Sequence, residues 1–205
     1  MIYLPNILNH KNRISRIWIF TVITFLLYFS AAHFSPFSPN YLPLTWLDKQ
    51  LPLIPWTIWV YVSLYPLCIL GFLLYENERN LSKQAWLFLL TQVIAFFIFL
   101  FWPTIYPRDI FSATPHSSFM LDWIWRVDKP LNCCPSLHVA NCFLISFGFL
   151  PENHRRLFWF LLFSVVISLS TLTTKQHYAI DVLCGFLFAC LIYFGLGKFI
   201  GVSHE

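Results

Sequence analysis

The sequence predicts an all-α, polytopic membrane protein: six transmembrane helices in one bundle, with the N- and C-termini cytoplasmic. Three observations carry that expectation. First, the 205 residues are 58% hydrophobic, 20% aromatic and only 11% charged, against roughly 25% charged in soluble domains. Second, six apolar segments approach the about 20 residues that cross a hydrocarbon core. Third, Lys and Arg are unevenly shared among the loops between those segments.

In chain order the segments are 17–34, 54–75, 85–102, 137–150, 157–174 and 178–200. The first follows Lys11, Arg13 and Arg16 and contains Ser30-Ala31-Ala32, which resembles a cleavage site, so a retained helix is the expectation and a cleaved signal peptide the alternative. The fourth is short, and local bilayer thinning or burial between neighbours would accommodate it. The breaks are punctuated by Ser35-Pro36 through Pro55, by Glu76-Asn77-Glu78-Arg79-Asn80, by the stretch from Pro103 to Pro135, and by Pro151-Glu152-Asn153-His154. The chain shows no internal repeat, and residues 1–205 are expected to form a single membrane domain.

With the N-terminus inside, Lys11, Arg13, Arg16, Arg79, Lys83, Arg155, Arg156 and Lys198 fall on the inner face; Lys49, Arg108, Arg126, Lys129 and Lys175 fall on the outer one. The bias sets the expected orientation. It also places Arg108, residues 135–138 and residues 175–181 on one outer face. The basic residues lie in short groups rather than along one face, which excludes nucleic acid as a partner. Cys68, Cys142, Cys184 and Cys190 sit within apolar runs, and Cys133 and Cys134 are adjacent in a loop; no zinc spacing or disulfide framework follows.

The chemistry concentrates at helix ends. His177 and Asp181 are four residues apart, on one face of a helix that includes both. A carboxylate there can hold one ring nitrogen and leave the other free to attack, as a nucleophilic histidine requires. Taken alone, such a pair also fits a self-satisfied buried couple. His138 opens the fourth segment and is placed to donate a proton to a departing oxygen. Ser136 and the free N–H groups of a helix starting there suit a phosphate oxygen. Arg108, with its guanidinium fork, suits bidentate phosphate binding, and Lys175, which adds charge beside His177, is a further candidate phosphate ligand. The stretch 117–126, with Phe119, Met120, Trp123 and Ile124 at helical spacing, is expected to form a short interfacial helix roofing this site.

Together these residues resemble the type 2 phosphatidic acid phosphatase superfamily, whose three motifs read K-x6-R-P, P-S-G-H and S-R-x5-H-x3-D. Pro135-Ser136-Leu137-His138 matches the second with Leu for Gly. Ser170, His177 and Asp181 match the third, with Thr171 in the arginine position. The first is represented by Arg108, with Phe101 where lysine and Asp109 where proline belong. Leu137 together with Lys175-Gln176-His177-Tyr178, and Asp128, Pro130 and Asn132 ahead of the second motif, is similar to the branch containing inositol phosphorylceramide synthases.

The resemblance covers about residues 103–185. It implies a membrane lipid phosphatase acting through a phosphohistidine, without metal or other cofactor: His177 as nucleophile, Asp181 as its orienting partner, His138 as acid, and Ser136 and Arg108 on the phosphate. It implies a lipid phosphate substrate at the outer surface of a plasma or bacterial inner membrane. Transfer of a phospho-headgroup to a lipid or sugar hydroxyl is the alternative outcome of the same chemistry. A non-enzymatic, transporter-like protein is the alternative of another class.

Overall fold

The computed structural model describes residues 1–108, 118–128 and 130–203. Lys129 of the charge count, Asp109 of the first motif and residue 117 of the expected interfacial helix lie outside them. The long helices are α1 (Arg13–Phe34), α5 (Glu78–Phe101), α8 (His154–Thr173) and α9 (Ala179–Cys190). The helices α2 (Trp46–Gln50), α3 (Ile58–Val62), α4 (Leu64–Leu74), α6 (Phe119–Val127) and α7 (Leu137–Phe147) are shorter. Four short strands complete the described elements: β1 (Ile2–Leu4), β2 (Asn40–Tyr41), β3 (Thr104–Ile105) and β4 (Ile200–Val202).

The helix boundaries follow from local chemistry. Asn77, Asn153 and Ser136 start α5, α8 and α7, each side chain accepting a hydrogen bond from a first-turn N–H that has no partner inside the helix. Between α3 and α4 the chain breaks at Ser63, three residues before Pro66, which has no N–H to continue the ladder. Past α9, a π turn (Leu191–Leu196) and a 3-10 turn (Gly197–Phe199) carry the same rod onward to β4.

Five helical stretches are long and apolar enough to cross a membrane: Arg13–Phe34, Pro55–Leu74, Glu78–Phe101, His154–Thr173 and Ala179–Phe199. The chain is an integral membrane protein. The fourth of the six expected segments is shorter than these: α7 has only 11 residues, about 16 Å at 1.5 Å per residue. The physical reason is its position. α7 packs against α4, α5, α8 and α9, and all of its residues except His138 are buried, so protein rather than lipid surrounds it.

Polar contacts join the buried helices. Gln92 on α5 donates to Asn141 on α7 at 2.9 Å, and the hydroxyls of Ser146 and Ser164 join α7 to α8 at 2.9 Å; such links hold helices together where lipid offers no competing partner. The expected all-helical architecture gains two small parallel pairings. β1 pairs with β4 (Ile2 opposite Ile200), which sets the first and last strands side by side, and β2 pairs with β3 (Asn40 opposite Thr104).

Candidate active site

Two loops build the site. The first, leading into α7, is fastened to β3: Cys133 N–H donates to the Thr104 carbonyl at 3.3 Å, and Cys134 N–H to the Thr104 hydroxyl at 2.8 Å. The second joins α8 to α9. There the N–H groups of Gln176 and His177 both donate to the Thr171 carbonyl, at 3.0 and 3.3 Å. Ser136 N–H donates to the Asp181 carbonyl at 3.1 Å, so the loops are tied to each other as well. α7 and α9 approach closely enough that a Cβ on Gly185 would lie 2.5 Å from the Ser136 carbonyl oxygen. Glycine is required there by contact, not by backbone angle.

His177 is buried, with Nδ1 facing two acceptors: the Cys133 carbonyl at 3.0 Å and the Asp181 carboxylate at 3.3 Å. Two acceptors on one nitrogen assign the ring proton to Nδ1 and leave Nε2 with its lone pair. The same Asp181 oxygen accepts from Tyr178 N–H at 2.9 Å, which closes the first turn of α9 and fixes the carboxylate. The His138 ring lies 6.0 Å from that of His177, stacked on Tyr61 at 4.0 Å, and its buried Nε2 has no hydrogen-bond partner among the described residues.

Arg108 is buried at 7% exposure. One terminal nitrogen donates to the Asp128 carbonyl at 2.5 Å, and the other is held by the Gln176 side-chain oxygen. The Trp125 ring lies 5.9 Å away. The structure therefore brings Arg108 beside the residue that precedes His177. Burial pushes the Asp128 carboxyl above the usual carboxylate range, while the Arg108 guanidinium, the Tyr28 hydroxyl and His177 pull the other way. Tyr28 donates to that carboxylate at 2.9 Å, and Asn132 donates to the Tyr28 carbonyl at 3.0 Å, so α1 is hooked onto the rim of the site.

Other expected residues have different tasks. Ser136 is buried, and its hydroxyl oxygen caps α7 by accepting from Val139 N–H; one O–H donor is left for a phosphate oxygen. Lys175 is only 1% exposed and its ammonium donates to the carbonyls of Asp48 and Leu51, at 3.1 and 2.6 Å. It braces the α2 segment, and burial pulls its pKa down against the opposing charge of Asp48. Phe101 is exposed at the end of α5, stacked on Phe97. Thr171 is buried with its hydroxyl turned to the Ser168 carbonyl, so no cation occupies the motif's arginine position.

Four contributors carry roles that the sequence reading did not assign. Gln176 positions Arg108; Thr104 holds the Cys133-Cys134 loop; Gly185 permits the close approach of α9. Asp48 caps α9 by accepting from Ala179 N–H at 2.8 Å. Only Gln176 carried a signal, its place beside His177. Ligand atoms of Cys133, His177 and Asp181 lie within 4.8 Å of one another, a compact enough set for a metal. Burial raises the Cys133 thiol well above its ordinary value, however, against the thiolate that a metal needs.

The model of the PAP2 superfamily matches residues 37–195, a range that contains both loops and every site residue above except Tyr28. The chain belongs to the PAP2 superfamily. Its members are phosphatases or phosphotransferases. An uncharacterized protein of Methanocaldococcus jannaschii is 34% identical over 73 residues, 36% of this chain and 30% of that protein. The chain thus spans less than a third of that relative's length. No solved structure matches the chain.

Proposed function

We propose that the protein is a membrane lipid phosphatase that hydrolyses the phosphate ester of a lipid through a phosphohistidine at His177, with no metal or other cofactor in the reaction. The observation that supports this most is the contrast between the two ring nitrogens of His177: Nδ1 faces two acceptors, which leaves Nε2 as the nucleophile. Nε2 attacks phosphorus; the N–P bond forms as the P–O bond to the lipid breaks, and the departing oxygen keeps that electron pair. His138, 6.0 Å away ring to ring, gives this oxygen a proton. In the second step neutral His138 takes a proton from water, the hydroxide attacks phosphorus, and the N–P electrons return to Nε2.

Asp181 holds the ring in its working tautomer and offsets the positive charge of the phosphorylated imidazole. Arg108 stabilises the developing charge on the phosphoryl oxygens, with the Ser136 hydroxyl as a further donor. In this reading α7 is the sixth crossing, the two termini are cytoplasmic, and the site opens on the extracytoplasmic face of a plasma or bacterial inner membrane. There the phosphate of a lipid reaches His177 while its tails stay in hydrocarbon.

Transfer to a lipid hydroxyl is the second reading. It is favoured by the apolar cavity that borders His138, a poor place to hold the water that hydrolysis needs. Purified protein given a radiolabelled lipid phosphate, with and without alcohol acceptors, tests both. Free phosphate and an acid-labile label on His177 are expected. Acceptor-dependent transfer without free phosphate would establish the second reading, and unchanged turnover in His177→Ala would end both.

A further inference from the structure

Beside the histidines runs a cavity of about 330 Å³ between α1 and α4, roofed by α6 and largely apolar. Its shape is set by the two helices. Tyr28 and Ile17 both line it and are eleven residues apart on α1, about 16 Å at 1.5 Å per residue. That is close to one leaflet's share of a hydrocarbon core about 30 Å thick. Polar groups gather at one end, where His138 and Asp128 face in, and Tyr28 there is bonded to Asp128. The far end, with Ile17 and Phe72, is apolar. Along its side Phe25 and Phe29 are 39% and 44% exposed on the outer surface of the bundle, so the cavity is open laterally towards lipid.

We propose that this cavity is the seat of one aliphatic chain of the substrate, which enters sideways between α1 and α4 and places its phosphate ester against His138 and His177. The occupant is a single chain. A volume of about 330 Å³ lies at the small end of the ~300–1,000 Å³ of ligand cavities, and it is drawn out along α1 from Tyr28 to Ile17. The substrate class is accordingly a phosphate ester with one chain held by protein and any second chain left in the bilayer. α6 serves as the roof: its inward face contributes Met120, Trp123 and Val127, and its C-terminal cap is Asp128 at the polar end.

The inference rests on the proposed phosphate chemistry only for the headgroup. Thr24 and Thr21 line the cavity one and two turns from Tyr28, so Thr24→Phe and Thr21→Phe act as stops at two depths. A series of alkyl phosphates of increasing length should show an optimum in wild-type kcat/KM. That optimum should move to shorter chains in Thr21→Phe and shorter still in Thr24→Phe. The longest substrates should lose about tenfold or more, while the shortest are hardly affected. An optimum that both variants leave in place would overturn the chain seat and leave the phosphatase reading intact.

A long-chain alkyl phosphonate with a terminal diazirine gives a readout independent of turnover and of any variant. Photolabelling of wild-type protein in phosphatidylcholine vesicles should mark α1 and α4 near Ile17 and Phe72. Labels there without turnover of any phosphate ester would sustain the seat and sink the proposed reaction. Labels confined to other helices would sink the seat.

Discussion

The bundle has a polar cluster at each end, and the two are built to different standards. At the end where α4 meets α5 and α7 meets α8, Glu152 accepts from Asn80 at 2.6 Å and from the N–H groups of Glu76 and Asn77 at 2.9 and 3.2 Å. Arg156 pairs with Glu76 at 2.7 Å and donates to the Leu74 carbonyl at 2.7 Å. Each group answers another. At the histidine end, Arg108 Nε, Asn132 Oδ1, His138 Nε2, Gln176 Nε2 and Asp181 Oδ1 are buried without a hydrogen-bond partner among the described residues. The other buried unpaired side-chain atoms among the described residues, on Asn6, Thr24, Gln84 and Gln92, are spread over the chain's first half; buried polar atoms are costly to leave unpaired, and the five around the histidines are the ones that share a single site. One end closes loops; the other keeps unpaired polar atoms around two histidines.

The comparison breaks or sharpens at named residues. His177→Ala should lower turnover of a lipid phosphate by about 10⁴-fold or more, with the thermal midpoint in detergent nearly unchanged; a parallel loss of stability would make the histidine end structural too. Arg108→Ala should lower kcat/KM by about 10²–10³-fold, as for loss of a transition-state donor. Gln176→Ala should reproduce part of that loss, because it frees the guanidinium.

At the opposite end, Glu152→Ala should cost about 1–3 kcal/mol of stability through the amides it leaves unpaired, measured by thermal unfolding, while activity per folded molecule stays the same. Smallest is the pH effect at Asp128. Its raised pKa means that the folded state holds the proton more tightly than the unfolded chain, so wild-type stability falls as pH rises above about 4. Asp128→Asn lacks this dependence. Its thermal midpoint should match wild type near pH 4 and exceed it increasingly at higher pH.

Much of this arrangement was legible in the order of residues. The four-residue step from His177 to Asp181 and the cluster from Pro135 to His138 are local patterns, and each ends an apolar run, so chain order alone places them on helix ends. The six apolar runs identify the helices, although a hydropathy pattern cannot show that α7 is sheathed by its neighbours and so is shorter than a span. What could not be read is the set of contacts that meet only in space. Asp48 reaches Ala179 across 131 positions, and Thr104 reaches Cys134 across 30. Lys175 illustrates the same limit in reverse. Its position beside His177 suggested a phosphate ligand, but a backbone at φ 55° turns it to the carbonyls of Asp48 and Leu51. Proximity along the chain stood in for direction, and direction was what mattered.

That brace makes Lys175 a reporter. Its amine is buried under the α2 segment, so acylating reagents can reach it only when this segment lifts away. The labelling rate at this one amine, followed by peptide mass spectrometry, would therefore measure the free energy of a local opening next to the loop that carries His177, separately from melting of the whole bundle.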